Sequence, residues 1–301
     1  MPYSTLISIT ELAEHLDDPD WAIIDCRFSL ADPERGRRDY FSAHIPGSLY
    51  AHLDEDLCSP VIKGITGRHP LPSKKGITQT LSNWGIDSDV QLVAYDDAGG
   101  AMAAARLWWI LHWLGHESKA VLDGGWHAWL SNEKPIHSGI ERRNPRNFIP
   151  HMKPHLLVDS ETILESISEP ELRLIDSRTV DRYRGENETI DPVAGHIPGA
   201  ISAPYPDTLD AEGRFLPREG LRARFQSLIG GAPVENAIFY CGSGVTAAHN
   251  LLALAHAGLG DSRLYAGSWS EWITDPSRPV EKGQNRKGDE DYPFSSLLRL
   301  S

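Results

Sequence analysis

The chain has 301 residues, of which 40% are hydrophobic and 24% charged, and its formal net charge is −13 at pH 7. This length and composition predict a globular protein of two domains. The acidic balance argues against nucleic acid as a partner, because phosphate binding requires a basic surface. No run approaches the roughly 20 apolar residues of a membrane span.

The cysteines and the N-terminal residues exclude further classes of protein. Cys26, Cys58 and Cys241 are too few for a disulfide framework, and no cluster of Cys and His has the spacing of a zinc site. The N-terminal residues carry neither the basic nor the apolar segment of a targeting signal. We therefore expect a cytoplasmic protein without a structural metal. We expect Cys26 and Cys58 to be small, buried, unreactive side chains.

Short apolar runs alternate with helical patterns along the chain. The apolar runs predict strands at 22–24, 91–95, 120–122, 172–175, 237–240 and 263–265. A helical period predicts helices at 9–15, 101–114 and 246–257. Strands alternating with helices are typical of α/β proteins, in which a parallel sheet is flanked by helices on both faces. The tryptophans of these segments are predicted to pack in the core.

The order of signals in the first half recurs about 150 residues later in the second half. Asp-Cys-Arg at 25–27 returns as Asp-Ser-Arg at 176–178, and His44-Ile-Pro-Gly returns as His196-Ile-Pro-Gly. Ordered matches of this kind indicate duplication of one domain. Because these residues occur in both copies, the simpler expectation is structural: each aspartate pairs with its arginine, and each histidine bonds nearby backbone.

The duplication sets the expected domain limits. We predict domains at 1–136 and 158–301, the second including a charged C-terminal tail. They are joined by a linker at 137–157, which is weakly periodic and rich in Pro, Arg, Asn and His.

The most informative stretch surrounds Cys241, which follows the strand predicted at 237–240. A helix is predicted about five residues later, so the thiol lies in a tight loop at the positive end of a helix. The loop residues whose backbone N–H groups would surround the sulfur are Gly242, Ser243, Gly244, Val245 and Thr246. The two glycines permit the backbone angles that turn these groups inward. These dipoles favour the reactive thiolate, so the pattern predicts a nucleophile; the first copy has Asp96 at this position.

The loop Cys241-Gly-Ser-Gly-Val-Thr-Ala247 resembles the tandem-domain rhodanese family, in its 3-mercaptopyruvate sulfurtransferase branch. The repeated His-Ile-Pro-Gly turns and a Gly-Gly-Trp or Gly-Ser-Trp before a helix support the resemblance, which covers nearly the whole chain. It implies two α/β rhodanese-like domains, the first without the catalytic cysteine, and an active site near their interface.

The resemblance also implies sulfur transfer. Cys241 would take a sulfane sulfur from a small anionic donor as a persulfide, without a metal or an organic cofactor. The persulfide would pass its outer sulfur to cyanide or to a thiol, for which a thioredoxin-like protein is one candidate. The backbone N–H groups of the loop would hold the persulfide anion.

Several side chains receive roles from the same resemblance. Ser243 would donate a hydrogen bond or a proton to the leaving enolate. Arg182 matches the arginine that binds the donor carboxylate, and Arg184 is a weaker candidate for that role. Some mechanisms of the family place a first-domain histidine beside the loop serine, and that histidine would be His44.

One position departs from the family pattern and leaves the donor open. The mercaptopyruvate enzymes often have a second arginine nine residues after the first, and here that residue is Asp191. Thiosulfate-specific members typically have cationic residues directly after the cysteine, whereas Gly242 and Ser243 are neutral. Because the loop touches the reacting sulfur, we favour 3-mercaptopyruvate and keep thiosulfate as the alternative.

Two other classes of protein are compatible with a loop cysteine. A Cys-dependent phosphatase would need an arginine at the end of the loop to clamp phosphate, and residues 245–249 contain none. A sulfur-carrier or interaction module would accept persulfide from a partner protein instead of a small donor. Turnover of a small donor with no partner present would count against that module.

Overall fold

The computed structural model describes residues 2–284, which form two similar α/β units. The strands of the first unit are β1 (Leu6–Ile7), β2 (Trp21–Asp25), β3 (Leu49–Tyr50), β4 (Gln91–Tyr95) and β5 (Lys119–Leu122). Its helices are α1 (Ile9–Ala13), α2 (Arg35–Ser42), α3 (Leu53–Asp56), α4 (Lys74–Asn83), α5 (Ala103–Trp113) and α6 (Gly125–Ser131).

The second unit repeats this arrangement. Its strands are β6 (Leu157–Val158), β7 (Arg173–Asp176), β8 (Ile201–Ser202), β9 (Ala237–Tyr240) and β10 (Arg263–Tyr265). Its helices are α7 (Ser160–Ser166), α8 (Val180–Arg184), α9 (Arg218–Ile229), α10 (Thr246–His256) and α11 (Ser268–Trp272). The predicted C-terminal tail extends past residue 284 and there lies outside the described residues. No helix in the described range combines the length and the apolarity needed to cross a membrane.

Both sheets are parallel and have the same strand order. The first sheet runs β1-β5-β4-β2-β3 and the second β6-β10-β9-β7-β8, so each strand has its counterpart in the other unit. All strand pairs recorded in these two sheets are parallel, including the central pairs β2–β4 and β7–β9. The duplication and the parallel α/β fold are therefore confirmed. The two-residue edge strands were not predicted, because two residues carry no readable period.

Helices cover both faces of each sheet, as predicted. Successive residues of a strand point to opposite faces. In β4, Leu92 and Ala94 join one apolar cluster, whereas Val93 and Tyr95 join a second cluster with residues of α1 and α6. In the second unit, residues of α7, α8 and α11 cover the corresponding face.

One apolar core passes through both units. It contains α5 and α10, the helices that follow β4 and β9, and these two helices pack directly against each other. Trp109 and Leu252 are buried in this shared core. Because each helix begins just after a central strand ends, the packing brings the loops after β4 and β9 to the boundary between the units.

The repeated motifs have the structural roles expected of them. Arg27 Nη2 donates to Asp25 Oδ2 at 2.6 Å, and Arg178 Nη2 donates to Asp176 Oδ2 at the same distance. The side chains of Cys26 and Cys58 are buried, and the predicted core tryptophans are buried as well.

The predicted linker lies along the first unit. It has little regular secondary structure, but the Arg146 N–H donates to Ser82 O at 2.9 Å and the His151 N–H donates to Leu114 O at 2.8 Å. Phe148, within this segment, is buried. These contacts attach the segment to the first unit, and the exact domain limits stay a prediction.

Candidate active site

Cys241 is the first residue after β9 and lies where the two units meet. Its side chain is 2% exposed, and the backbone N–H of Gly244 donates to its Sγ at 3.1 Å. The Cys241 N–H donates to Ser268 Oγ at 3.1 Å, and the Trp269 N–H donates to Cys241 O at 2.9 Å. An amide that points at the sulfur stabilises an anionic sulfur more than a neutral one.

The two loop glycines have different surroundings. Gly244 has φ +76°, and a Cβ there would lie 2.5 Å from Ala266 O, so only glycine fits. Gly242 is not among the described residues with positive φ, so the expectation of unusual backbone angles is wrong there. A Cβ on Gly242 would instead lie 3.1 Å from Arg68 Nη2, so this residue leaves room for the side chain above it.

The first unit shows how such a loop holds an anion. Asp96 follows β4 as Cys241 follows β9, and its carboxylate is buried. Four backbone N–H groups donate to this carboxylate, at 2.8–3.1 Å: those of Ala98, Gly100, Met102 and Ala104. Burial raises the pKa of Asp96, and the four donors act in the opposite direction. In the second unit, the loop amide recorded as a donor to Cys241 Sγ is that of Gly244.

Arg106 of α5 brings a positive charge to the loop from the first unit. Its side chain is fully buried, and Nη1 donates to Gly244 O and Nη2 to His69 O, each at 3.0 Å. Burial lowers the pKa of Arg106, and the nearby thiols of Cys58 and Cys241 oppose this effect. Within residues 2–284 no carboxylate forms an ion pair with it. An uncompensated guanidinium favours an anionic sulfur beside it.

We expect Arg106→Met to slow the alkylation of Cys241 by iodoacetamide about tenfold at pH 7, because the thiolate loses a neighbouring charge. Methionine retains much of the length and apolar contact of the buried stem. The rate would be followed by mass spectrometry of the peptide that contains Cys241, with exposed Arg142→Met as the control. An unchanged rate in a folded Arg106→Met protein would contradict the electrostatic role.

Three side chains form a polar chain from the loop into the first unit. Ser243 Oγ lies 2.7 Å from His69 Nδ1, and His69 Nε2 lies 3.4 Å from Asp54 Oδ1. Burial, followed by the charges of Arg106 and Arg68, lowers the pKa of His69 to about 3, so the ring is neutral at ordinary pH. With Nε2–H directed at Asp54, Nδ1 is the acceptor for the Ser243 hydroxyl.

Arg182 lies beside the same loop. Its Nη1 is 3.4 Å from the position that a Cβ would take on Gly242. The guanidinium is held by Glu188, which accepts from Nε at 3.0 Å, and by Asp191, which accepts from Nη2 at 2.9 Å. The guanidinium is therefore fixed in place with Nη1 facing the loop.

Two of the remaining predicted site residues, His44 and Arg184, have no recorded contact with the loop of Cys241 within the described residues. His44 Nδ1 is 2.7 Å from Tyr40 O, its ring stacks on that of Tyr40, and Nε2 faces Glu141 at 3.7 Å. The pairing of His44 with Ser243 is therefore not formed, because the His-Ile-Pro-Gly turn holds the ring in its own unit. No contact described for residues 2–284 joins the Arg184 side chain to the loop. Val245 and Thr246 lead into α10, and among the loop amides only that of Gly244 is recorded as a donor to Sγ.

Sequence reasoning missed His69, although the sequence contains a signal for it. A partner of a nucleophile that occurs once should also occur once, and His44 has a counterpart in the second copy whereas His69 has none. His69-Pro-Leu-Pro corresponds to Arg214-Phe-Leu-Pro in the second half. The residue that differs between the copies is therefore the one that reaches the catalytic loop.

Fold and site together define an α/β enzyme with duplicated units, whose candidate nucleophile follows the central strand of the second unit. The model of the rhodanese-like domain matches residues 8–132 and 159–275. The chain belongs to the rhodanese family.

Individual relatives agree with this assignment. The chain is 49% identical over 284 residues to a probable 3-mercaptopyruvate sulfurtransferase of Pseudomonas aeruginosa, covering 94% of this chain and 100% of the relative. It is 32% identical over 297 residues to a thiosulfate sulfurtransferase of Mus musculus, covering 95% and 98%. The solved structure of a 3-mercaptopyruvate sulfurtransferase from Leishmania major matches with a TM-score of 0.79 at 31% identity, covering 89% of this chain and 74% of that one. The chain is a sulfurtransferase of this family.

Proposed function

We propose that the protein moves a sulfane sulfur from 3-mercaptopyruvate to a thiol or to cyanide through a persulfide on Cys241. The Cys241 thiolate attacks the donor sulfur, the S–S bond forms, and the C–S bond breaks with its electron pair left on the carbon. The resulting enolate takes one proton and departs as pyruvate. An acceptor thiolate then attacks the outer sulfur, which leaves with the acceptor and returns Cys241 to the thiolate.

The observation that carries this proposal is the backbone N–H of Gly244 directed at Cys241 Sγ at 3.1 Å. The anionic sulfur exists before the attack and again after the acceptor has left. A fixed dipole at this atom stabilises both states without reorganisation. In the first unit, four backbone N–H groups hold the carboxylate of Asp96 after the equivalent strand, which supports an anion in this place in the fold.

The choice of donor rests on the proton that the leaving group requires. A pyruvate enolate must be protonated at carbon, whereas the sulfite released from thiosulfate needs no proton. The Ser243 hydroxyl, positioned 2.7 Å from His69 Nδ1, can turn from this acceptor to give its proton to the enolate, and it regains a proton from the S–H group that the donor thiol brings to the persulfide. This favours 3-mercaptopyruvate, and thiosulfate remains the second candidate because two arginines near Gly242 suit any small anion.

Mass spectrometry of the intact protein after brief exposure to 3-mercaptopyruvate tests the proposal. We expect one added sulfur, located on the peptide that contains Cys241 and removed by cyanide as thiocyanate. The ratio of kcat/KM for 3-mercaptopyruvate and thiosulfate then identifies the donor. An unmodified Cys241 after exposure to both donors would reject the persulfide mechanism, and a clear excess for thiosulfate would reverse the choice of donor.

The same experiment separates the carrier module from the enzyme. Saturable turnover of a small donor by the isolated chain excludes a module that needs a partner protein to load it. A thioredoxin-like acceptor and a cytoplasmic location stay predictions.

A further inference from the structure

Ser268, the first residue of α11, has a backbone conformation that serine rarely adopts. Its φ is +56°, in the left-handed region, and Glu133 is the other non-glycine residue with positive φ among residues 2–284. Glu133 lies exposed in a turn, whereas Ser268 is fully buried. Such strain persists only where the surrounding structure imposes it, and it clusters at active sites. Ser268 is therefore a candidate for a functional role.

The Ser268 hydroxyl lies between the nucleophile and the end of β10. It accepts from the Cys241 N–H at 3.1 Å and donates to Tyr265 O at 2.9 Å. The Trp269 N–H donates to Cys241 O at 2.9 Å. Two neighbouring residues of α11 therefore hold the peptide groups on both sides of the Cys241 Cα. Because these groups flank the Cα, they fix the direction in which Sγ leaves the backbone.

The first copy has the same turn without the hydroxyl. Gly125 occupies the position of Ser268, with φ +57°, and the Trp126 N–H donates to Asp96 O at 2.8 Å. A Cβ on Gly125 would lie 2.3 Å from Asp96 O, so the first copy has no room for a serine there. Glycine adopts this conformation without strain, so the turn itself does not require a hydroxyl. The serine is specific to the copy that carries the nucleophile.

The two copies also differ in how the side chain after the central strand is held. Four backbone N–H groups hold the Asp96 carboxylate, whereas the Gly244 N–H is the one loop amide recorded as a donor to Cys241 Sγ in the described part of the chain. A nucleophile must move toward its substrate, so its reacting atom cannot be held as firmly as a structural carboxylate. Its direction can instead be fixed through its backbone.

We propose that Ser268 is a positioning residue for the nucleophile: its hydroxyl fixes the Cys241 N–H and thereby keeps Sγ against the Gly244 N–H. The proposal rests on the proposed function, since it concerns the same nucleophile. Without the hydroxyl, the buried Cys241 N–H loses its acceptor and its peptide group turns toward another one. A displacement of the sulfur by about 1 Å is enough to lower kcat, because the reacting atoms must meet in a narrow geometry.

Ser268→Gly and Ser268→Ala together test this role. Both changes remove the hydroxyl, but glycine relieves the strained φ and alanine keeps it. We expect each variant to lower kcat about tenfold with 3-mercaptopyruvate and with thiosulfate alike, and to change KM less than about twofold, because the donor still binds. Alkylation of Cys241 by iodoacetamide at pH 7 should slow by a similar factor, since the sulfur leaves the Gly244 N–H.

Ser262→Ala is the matched control. The Ser262 hydroxyl is also buried, and it donates to Ala237 O at 2.7 Å, at the end of β9 opposite Cys241. Its removal should change kcat and the alkylation rate less than about twofold. A buried hydroxyl that only stabilises the second unit is thereby separated from one that positions the sulfur.

The outcomes separate the positioning role from the reaction. If Ser268 only shaped the turn, Ser268→Gly would match the unmodified protein and Ser268→Ala alone would be impaired; either result would overturn the proposal. A loss with one donor and not the other, or an equal loss in Ser262→Ala, would overturn it as well. If the unmodified protein formed no persulfide, the proposed function would be rejected, and the alkylation rates of the two Ser268 variants would still decide whether the hydroxyl holds the sulfur.

Discussion

Replacing Cys241 with serine is expected to reduce kcat for sulfur transfer at least about 10³-fold with either donor, because a protonated hydroxyl cannot take up the sulfur. The hydrogen bonds that hold Cys241 to Ser268 and Trp269 use its backbone atoms only. Serine is nearly isosteric with cysteine, so the loop should keep its shape. Steady-state release of pyruvate or thiocyanate measures the effect.

Cys26→Ala provides the matched control for this change. Cys26 is a buried thiol of the first unit, and burial raises its pKa well above the usual range. Burial likewise raises the pKa of Cys58, to about 11, so neither thiol is ionised at neutral pH. Cys26→Ala should therefore retain turnover. Retained turnover in Cys241→Ser, or its loss in a folded Cys26→Ala protein, would place the nucleophile elsewhere.

The fold could be predicted where local patterns are long enough to be read. The strands β4, β9 and β10 have the bounds predicted, because each is a buried apolar run of a central strand between turn residues. The predicted limits of α5 and α10 lie within two residues of the observed limits at each end. The edge strands escaped prediction, because a two-residue strand is determined by its neighbour in the sheet and not by its own sequence.

Only the part of the site that lies in one continuous segment of the chain could be predicted from the sequence. The nucleophile and its glycine-rich loop lie in one continuous segment, so their chemistry can be read from sequence. Arg106 and His69 come from the first unit, and the packing of α5 against α10 and the hydrogen bonds to Gly244 and Ser243 bring them to the loop of Cys241. The repeated motif drew attention to His44, although repetition itself indicated a structural role.

The two copies differ in what occupies one loop. In the first, the carboxylate of Asp96 accepts from four backbone N–H groups, and in the second the N–H of Gly244 donates to Cys241 Sγ. The first unit has Asp96 in place of a nucleophile but supplies the buried cation, Arg106, and the partner of Ser243, His69. Division of these parts between the copies explains why both are needed and why the nucleophile is found in one.

The second large effect is expected for Ser243→Ala, and it should depend on the donor. We expect kcat for 3-mercaptopyruvate to fall about 10²-fold, because the enolate loses its positioned proton donor. With thiosulfate, kcat should change only a few-fold, since sulfite leaves without a proton. Comparing the two donors on one variant makes each the control for the other. His69→Ala should reproduce the pattern, because His69 Nδ1 is the partner of the Ser243 hydroxyl.

The pH dependence distinguishes this proton transfer from a titrating histidine. The pKa of His69 is lowered to about 3, so the ring binds a proton only in strong acid and remains an acceptor for Ser243 above that range. Between about pH 5 and 9 we therefore expect no limb in the kcat profile from His69. A limb near the ordinary histidine pKa that vanishes in His69→Ala would show that the ring titrates during turnover. Equal losses with both donors in Ser243→Ala would instead assign the hydroxyl to loop structure, because a group that only shapes the loop cannot distinguish a carbon leaving group from sulfite.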